Sequence, residues 1–384
     1  MGIFTWVIHF VYYRYKMYHL NLLWRDTMPE DKGKMEQDKL QFVDTLRALA
    51  IMGVLLVHVS QHVDGLNGWL QKGLSIGAKG VALFYMASAF TLFLSLSRRS
   101  SDKREGLAAY LLRRFFRIAP LYYVMLGIYL AVNGTGPRFW LGDQEGVTAT
   151  NIAAHVLFLN GLNPYWINGI IGVEWSIAVE CMFYLFIPLL FKLIRSVRHA
   201  TWFVMMVLVA SFGLNTVFAQ YPLISDHSLW GHYLYLWFPN QLPVFGLGIL
   251  LFFIWKDERH WKSVDALSGG LLLGTVLFAF FGGMADYLLG VGLLLGAYAL
   301  YHWQPMWLLN QVWSWIGRLS YSMYLTHMLV LGLIIQIKLP FAPLVSLTLM
   351  FIMTLLITAG LSWFTYIWIE QPGIRLGKKL ISRI

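Results

Sequence analysis

Charge is scarce in this chain: only 12% of its 384 residues are Asp, Glu, Lys or Arg. Water-facing domains carry about 25%, so there is about half the charge needed to coat a soluble surface. The scarcity is uneven, with 19 acidic residues against 29 Lys and Arg. Cysteine is nearly absent. The single Cys181 sits in an apolar run, so no internal disulfide can form. No HExxH and no Cys/His zinc spacing occurs, and no metal is expected. No GxxxxGK[ST] loop is present, so the glycine pair Gly246 and Gly248 reads as helix packing and not as a phosphate loop. Repeats of 20–50 residues are also missing, which excludes a solenoid or propeller.

Apolar residues are abundant. They make up 58% of the chain, and the mean hydropathy is +0.60. Those values exclude a soluble enzyme and a nucleic-acid-binding protein, and the basic excess fits the cytoplasmic loops of a polytopic membrane protein. A bilayer core needs about 20 mostly apolar residues per helix. Ten such stretches are readable, at 42–63, 74–96, 107–132, 171–194, 200–220, 233–255, 264–282, 284–303, 314–336 and 342–369. Residues 151–162 are apolar but too short to span, and read as re-entrant or interfacial. The expected fold is therefore an all-α bundle of about ten transmembrane helices. Ten spans with both termini cytoplasmic place four Lys/Arg-rich segments inside, at 98–104, 192–199, 256–262 and 375–383. The opening stretch 2–13 has no basic residues before it, unlike a signal peptide.

Polar residues inside such spans are functional candidates, because each charge costs about 2.5–3.5 kcal/mol on insertion scales. Arg47 and His58 are eleven residues apart. That spacing puts them on one helix face, about 16 Å apart along the axis. Asp44 stands three residues before Arg47, suited to an i,i+3 pair. Arg114 and Arg117 share a face near the basic end of the third span. They suit either membrane anchoring or a phosphate-bearing ligand, which guanidinium forks bind bidentately. Glu180 lies about a third of the way down its span. At that depth it must pair with a cation or stay protonated, with His58 and Arg47 as available partners. Glu174, near the rim, reads as solvated. Ser320, Tyr324 and His327 stack on one face of the ninth span, either as helix–helix hydrogen bonds or as the lining of a polar cavity.

Several motifs then occur in order. Asp44 to His58 carries an R-x10-H spacing, and the segment 80–90 reads GVALFYMASAF. Arg114 and Arg117 form an RxxR pair before Ile118 and Pro120, and Trp175 to Glu180 reads WSIAVE. Residues 320–327 read SYSMYLTH, and 369–372 read IEQP. Together, from about Leu40 to Lys379, the chain resembles the acyltransferase 3 family of integral-membrane O-acyltransferases. Two positions depart from that family's pattern: Ala82 stands where it usually has an acid, and Ala89 where it has Gly.

The resemblance implies transfer of an acyl group, acetyl foremost, from acetyl-CoA to a hydroxyl of a cell-envelope glycan or glycolipid. It implies a multi-pass protein of the cell (inner or plasma) membrane, with no metal and no nucleic-acid partner. Arg114 and Arg117 are then expected to hold the donor's phosphates. His58 would act as general base or transient acyl carrier, with Glu180 and Arg47 as catalytic partners. Asp44, Ser176, Ser320, Tyr324 and His327 would line the substrate cavity. On this reading 1–41 is an amino-terminal extension, 42–372 the transmembrane acyltransferase domain and 373–384 a basic cytoplasmic tail. The alternative from another class is a proton-coupled transporter or flippase for a lipid-linked sugar, using the buried Arg, His and Glu as a proton relay.

Overall fold

A computed structural model describes residues 32–102, 106–256, 285–303, 305–337 and 339–383. Among these residues the chain is helical throughout, with no strand. The helices are α1 (Lys32–Ser60), the short α2 (Gly68–Ser75), α3 (Gly80–Asp102) and α4 (Leu107–Asn133). There follow α5 (Ala149–Val156), α6 (Trp175–Leu193), α7 (Val197–Gln220), α8 (His227–Leu236) and α9 (Phe238–Lys256). The chain continues with α10 (Ala285–Trp303), α11 (Gln311–Ile334), α12 (Pro343–Thr365) and α13 (Gln371–Ile381).

Seven helical stretches are long and apolar enough to cross a bilayer: Gln41–Ser60, Gly68–Arg98, Leu107–Asn133, Trp175–Leu193, Val197–Gln220, His227–Lys256 and Pro343–Ile381. They coincide with seven of the expected spans. Helices α10 and α11 occupy two more, at 284–303 and 314–336. The expected span at 264–282 lies outside the described residues, as do the basic segment 257–262 and residues 1–31. The segment at 151–162 does not cross: α5 has eight residues and is followed by a 3-10 turn at Asn160–Leu162.

Local sequence sets the helix ends. The side chain of Asn310 accepts hydrogen bonds from the Val312 and Trp313 amides and starts α11. Ser196 does the same for α7 through the His199 amide. α4 stops at Gly134, whose φ of 67° a side chain would resist. At the other end of the chain, Pro372 lacks the amide that an α-helix would need there. The backbone passes from α12 into α13 through a π turn over Tyr366–Glu370. Such single-turn widenings re-aim side chains and are frequent at functional sites.

Packing follows the same residues. α11 lies along α1, α3 lies on the other side of α1, and α9 and α7 extend the row. α4 touches α11 and α6, and α6 touches α3, so α1, α3, α6, α4 and α11 close a ring. Its outer helices show apolar faces, with Trp202, Met206 and Val209 of α7 exposed at near-helical spacing, as bilayer-facing helices require.

The α1–α11 seam depends on Gly317, where a Cβ would collide with the Asp44 carbonyl oxygen. Substituting Gly317→Ala must therefore push the two central helices apart. The expected cost is about 1–3 kcal/mol, the usual penalty for overpacking, read as a lowered thermal midpoint in detergent. An unchanged midpoint would show that the seam relaxes freely.

Candidate active site

The five-helix ring encloses a cavity of about 100 Å³. Arg47 enters from α1, Ser88 and Thr91 from α3, Arg114 and Arg117 from α4, Ser176, Glu180 and Tyr184 from α6, and Ser320, Tyr321 and Tyr324 from α11. Three guanidinium groups thus converge on one small space. Arg47 has its Nη1 3.8 Å from Asp44 Oδ1 and donates from Nη2 to Thr91 Oγ1 at 3.3 Å. Glu180 accepts from Ser88 Oγ at 2.5 Å and from the Tyr184 hydroxyl at 2.7 Å, both on the same oxygen.

Arg114 and Arg117, equivalent in sequence, differ in space. Arg117 forms an ion pair with Glu370, which the π turn carries into the bundle, and its guanidinium lies 5.4 Å from the Tyr321 ring centre. Glu370 is almost fully buried and also accepts from Ser322 Oγ at 2.8 Å. The approach is close because Gly373 and Gly377 of α13 sit against Pro120 and Phe116 of α4, where any Cβ would collide. Arg114 instead lies 5.8 and 5.9 Å from the rings of Tyr110 and Tyr184. Among the described residues no carboxylate pairs with it.

A second, larger cavity of about 750 Å³ lies toward the other end of the bundle. Its position follows from the antiparallel helices: it takes His58 where the first cavity takes Arg47, and Val81 and Ala82 where the first takes Ser88 and Thr91. Gln61, Lys79, Trp140, Asn168, Trp175, Phe212, Asn215, Thr216, His232, Tyr235, Asn240 and Gln241 complete its polar and aromatic lining. No Asp or Glu lines it among the described residues. Ala82, one of the two departures in sequence, is part of this wall.

Two side chains, Val81 and Tyr324, line both cavities. The Tyr324 hydroxyl donates to the Val173 carbonyl at 2.9 Å and accepts from Ser176 Oγ at 2.8 Å. The phenol ring is therefore pinned across the junction, with its edge against Phe84. His58 itself is half-buried, and its ring lies 5.3 Å from that of the fully buried His327.

The structure thus brings together Arg47, Arg114, Arg117, Glu180, Ser176, Ser320 and Tyr324, with Asp44 behind Arg47. It sets His58 in the neighbouring cavity, with His327 packed beside it. Glu180 spends its hydrogen bonds on Ser88 and Tyr184, and it lines the arginine cavity and not that of His58. Glu174 is not solvated at a rim. It is fully buried, accepting from His155 Nε2 at 3.2 Å and from the amides of Ile170, Ile171 and Gly172. Burial alone would raise its carboxyl, but the hydrogen bonds from His155 and the Ile170 amide outweigh that and hold it below the ordinary value. This knot fixes the loop whose Asn168, Gly172 and Val173 form part of the larger cavity.

Thr91 and Tyr184 were not singled out by sequence reasoning; Ser88 and Glu370 fell within the quoted motifs at 80–90 and 369–372 but were given no role there. Among the described residues no cluster of His, Cys, Asp and Glu is arranged to hold a metal ion.

Residues 40–363 match the family described as "Acyltransferase domain" (Acyl_transf_3). The chain is 26% identical over 289 residues to "Putative acetyltransferase ORF330" of Acidianus two-tailed virus, covering 72% of this chain and 78% of that protein. It is 25% identical over 345 residues to "Putative O-acetyltransferase SACOL0978" of Staphylococcus aureus (strain COL), covering 80% of this chain and 54% of that protein. The chain thus spans about half the length of the staphylococcal relative. It is also 26% identical over 384 residues to "Nodulation protein 10" of Rhizobium leguminosarum bv. viciae, covering 88% of this chain and 95% of that protein. No solved structure matches the chain. With the family's match running from the start of the first spanning stretch almost to the end of α12, the chain belongs to the acyltransferase 3 family.

Proposed function

We propose that this protein moves an acyl group, acetyl foremost, from cytoplasmic acyl-CoA to a hydroxyl of a cell-envelope glycan or glycolipid. The observation that carries the reading is the pair of cavities meeting at Tyr324, with guanidinium groups on one side and the His58 imidazole on the other. The proposed topology has ten spans in the cell membrane and both termini cytoplasmic. It is supported by the basic residues flanking the arginine side, Lys192 in the last turn of α6, Arg195 after it, Arg198 at the start of α7, and Arg375, Lys378 and Lys379 in α13.

In this mechanism the donor's phosphates dock on Arg114, while Arg117 is held in place by Glu370. The thioester extends past Tyr324 and Val81 toward His58. The acceptor's hydroxyl oxygen attacks the thioester carbon, and a neutral His58 takes the hydroxyl proton as the C–O bond forms. Collapse of the tetrahedral intermediate breaks the C–S bond, and the thiolate takes the proton back from the His58 imidazolium. An alcohol is too weak a nucleophile to do this unaided. Arg47 contributes positive charge on the donor side of the junction, and Glu180 holds Ser88 and Tyr184 in the lining.

The test is to incubate purified protein with labelled acetyl-CoA and an envelope extract, then identify the labelled product. Label in a saccharide hydroxyl ester supports the reading. Gradient-driven movement of a lipid-linked sugar without acyl-CoA would replace it with a transporter.

Arg114→Ala supplies a narrower check. Losing charge-assisted hydrogen bonds to phosphate is expected to weaken acyl-CoA binding about 10- to 100-fold, measured by titration calorimetry in detergent. Unchanged affinity would return Arg114 to a membrane-anchoring role.

A further inference from the structure

An imidazole that takes a proton from a hydroxyl works best with its other nitrogen held, so that the lone pair stays turned toward the hydroxyl. A carboxylate often does the holding, yet none lines the cavity of His58 among the described residues. Two polar groups stand beside His58: the side chain of Gln61, which is within hydrogen-bonding reach of it, and the ring of His327, 5.3 Å away between centroids and tilted by 39°. His327 is fully buried. Its Nδ1 lies 2.7 Å from the Tyr324 carbonyl oxygen. That oxygen can only accept, so Nδ1 carries the ring proton and Nε2 presents a bare lone pair. Nε2 has no hydrogen-bond partner, and a buried acceptor left unpaired is unfavourable.

The two rings are tilted and not stacked. Facing ring edges at their 5.3 Å separation come to about 3 Å, which is hydrogen-bond range. The χ2 torsion of histidine is broad, so a turn of the His58 ring can carry its one N–H from the Gln61 side toward His327 Nε2. We propose that His327 is a positioning residue for His58, its Nε2 accepting a hydrogen bond from one ring nitrogen and keeping the other's lone pair turned into the cavity. The inference rests on the proposed reading of His58 as the base. His327 forms no bond to carbon and gains or loses no proton. When His58 takes up the hydroxyl proton, its existing N–H stays on His327 Nε2. The backbone carbonyl that fixes His327 belongs to Tyr324, so the same residue orients the histidine pair and walls off the arginine cavity.

The test compares His327→Ala with His327→Gln, whose side-chain carbonyl retains an acceptor. Acetyl transfer is assayed with labelled acetyl-CoA and envelope extract, and the ¹⁵N spectrum of histidine-labelled protein is recorded in nanodiscs. His327→Ala is expected to lower kcat about 10- to 100-fold while leaving KM for acetyl-CoA unchanged. His327→Gln should recover most of that loss. The ¹⁵N signals should show His58 in one tautomer in the unaltered protein and in a mixture in His327→Ala. Equal losses in both variants with a fallen thermal midpoint, or a His58 tautomer that ignores His327→Ala, would overturn the proposal and leave His327 a packing residue. Absence of acyl transfer by the unaltered protein would instead remove the reaction reading. The nitrogen spectrum needs no turnover and would still decide whether His327 holds His58.

Discussion

His58→Ala is expected to reduce acyl transfer by about 10³-fold, within the range that a positioned general base supplies. The protein should still insert and fold. His58 is half-buried, stands two residues from the end of α1, and faces a cavity large enough to absorb the lost ring without a new internal void. Acyl-CoA binding should be nearly unchanged, because the guanidinium groups line a different cavity. The measurement is single-turnover transfer from labelled acetyl-CoA alongside titration of the donor. Near-normal turnover with intact binding would remove His58 from the chemistry and shift attention to Tyr324 at the junction. Trapping of acylated imidazole in the unaltered protein would make His58 the carrier in place of the base.

Glu370→Ala is expected to be the most destabilising single substitution at the site. Removing one partner from a buried pair leaves the other charge uncompensated, at a cost of about 3–5 kcal/mol. The side chain of Arg117 is 35% exposed, against 1% for Glu370, and it faces the cavity. Water there partly relieves it, so the expected value is the low end, about 3 kcal/mol. Ser322 loses its acceptor as well. The check is thermal unfolding in detergent of Glu370→Ala, of Arg117→Gln and of the Glu370→Ala, Arg117→Gln double variant. The double variant should recover part of the loss, since neither member then leaves a lone charge. Simple additivity of the two single losses would show that the contact contributes nothing as a pair.

The contrast between Arg114 and Arg117 marks the limit of what was legible in sequence. Helical spacing places both on one face, and that much is geometry local to α4. Their difference is made by Glu370, 253 residues from Arg117, delivered by a π turn and a glycine seam. No local pattern encodes that meeting. Arg47 and His58 teach the same lesson along a single helix. Their spacing gives a common face, but about 16 Å of helix rise lets two cavities stand side by side on it, one for each residue. The spanning helices were readable because lipid exposure forces long apolar runs. α11 was legible as a polar-faced helix, and its Ser322, Tyr324 and Thr326 hydroxyls are hydrogen-bonded inside the bundle. Glu174 was misread because its partners are loop amides and a histidine nineteen residues away. The large cavity was invisible for a related reason, being assembled from α1, α3, α6, α7, α8, α9, α11 and loop residues.

The junction at Tyr324 and Val81 also has an electrical meaning. On the proposed arrangement, with water admitted to both cavities, the membrane voltage would fall chiefly over the junction between them instead of over a full hydrocarbon thickness of about 30 Å. Moving a unit charge through that junction involves about 2.3 kcal/mol per 100 mV. An acyl group is neutral. On the proposed arrangement it passes without electrical work, while the phosphates stay on the arginine side, outside the steepest part of the field. Turnover in energised vesicles should then be indifferent to the sign of the voltage.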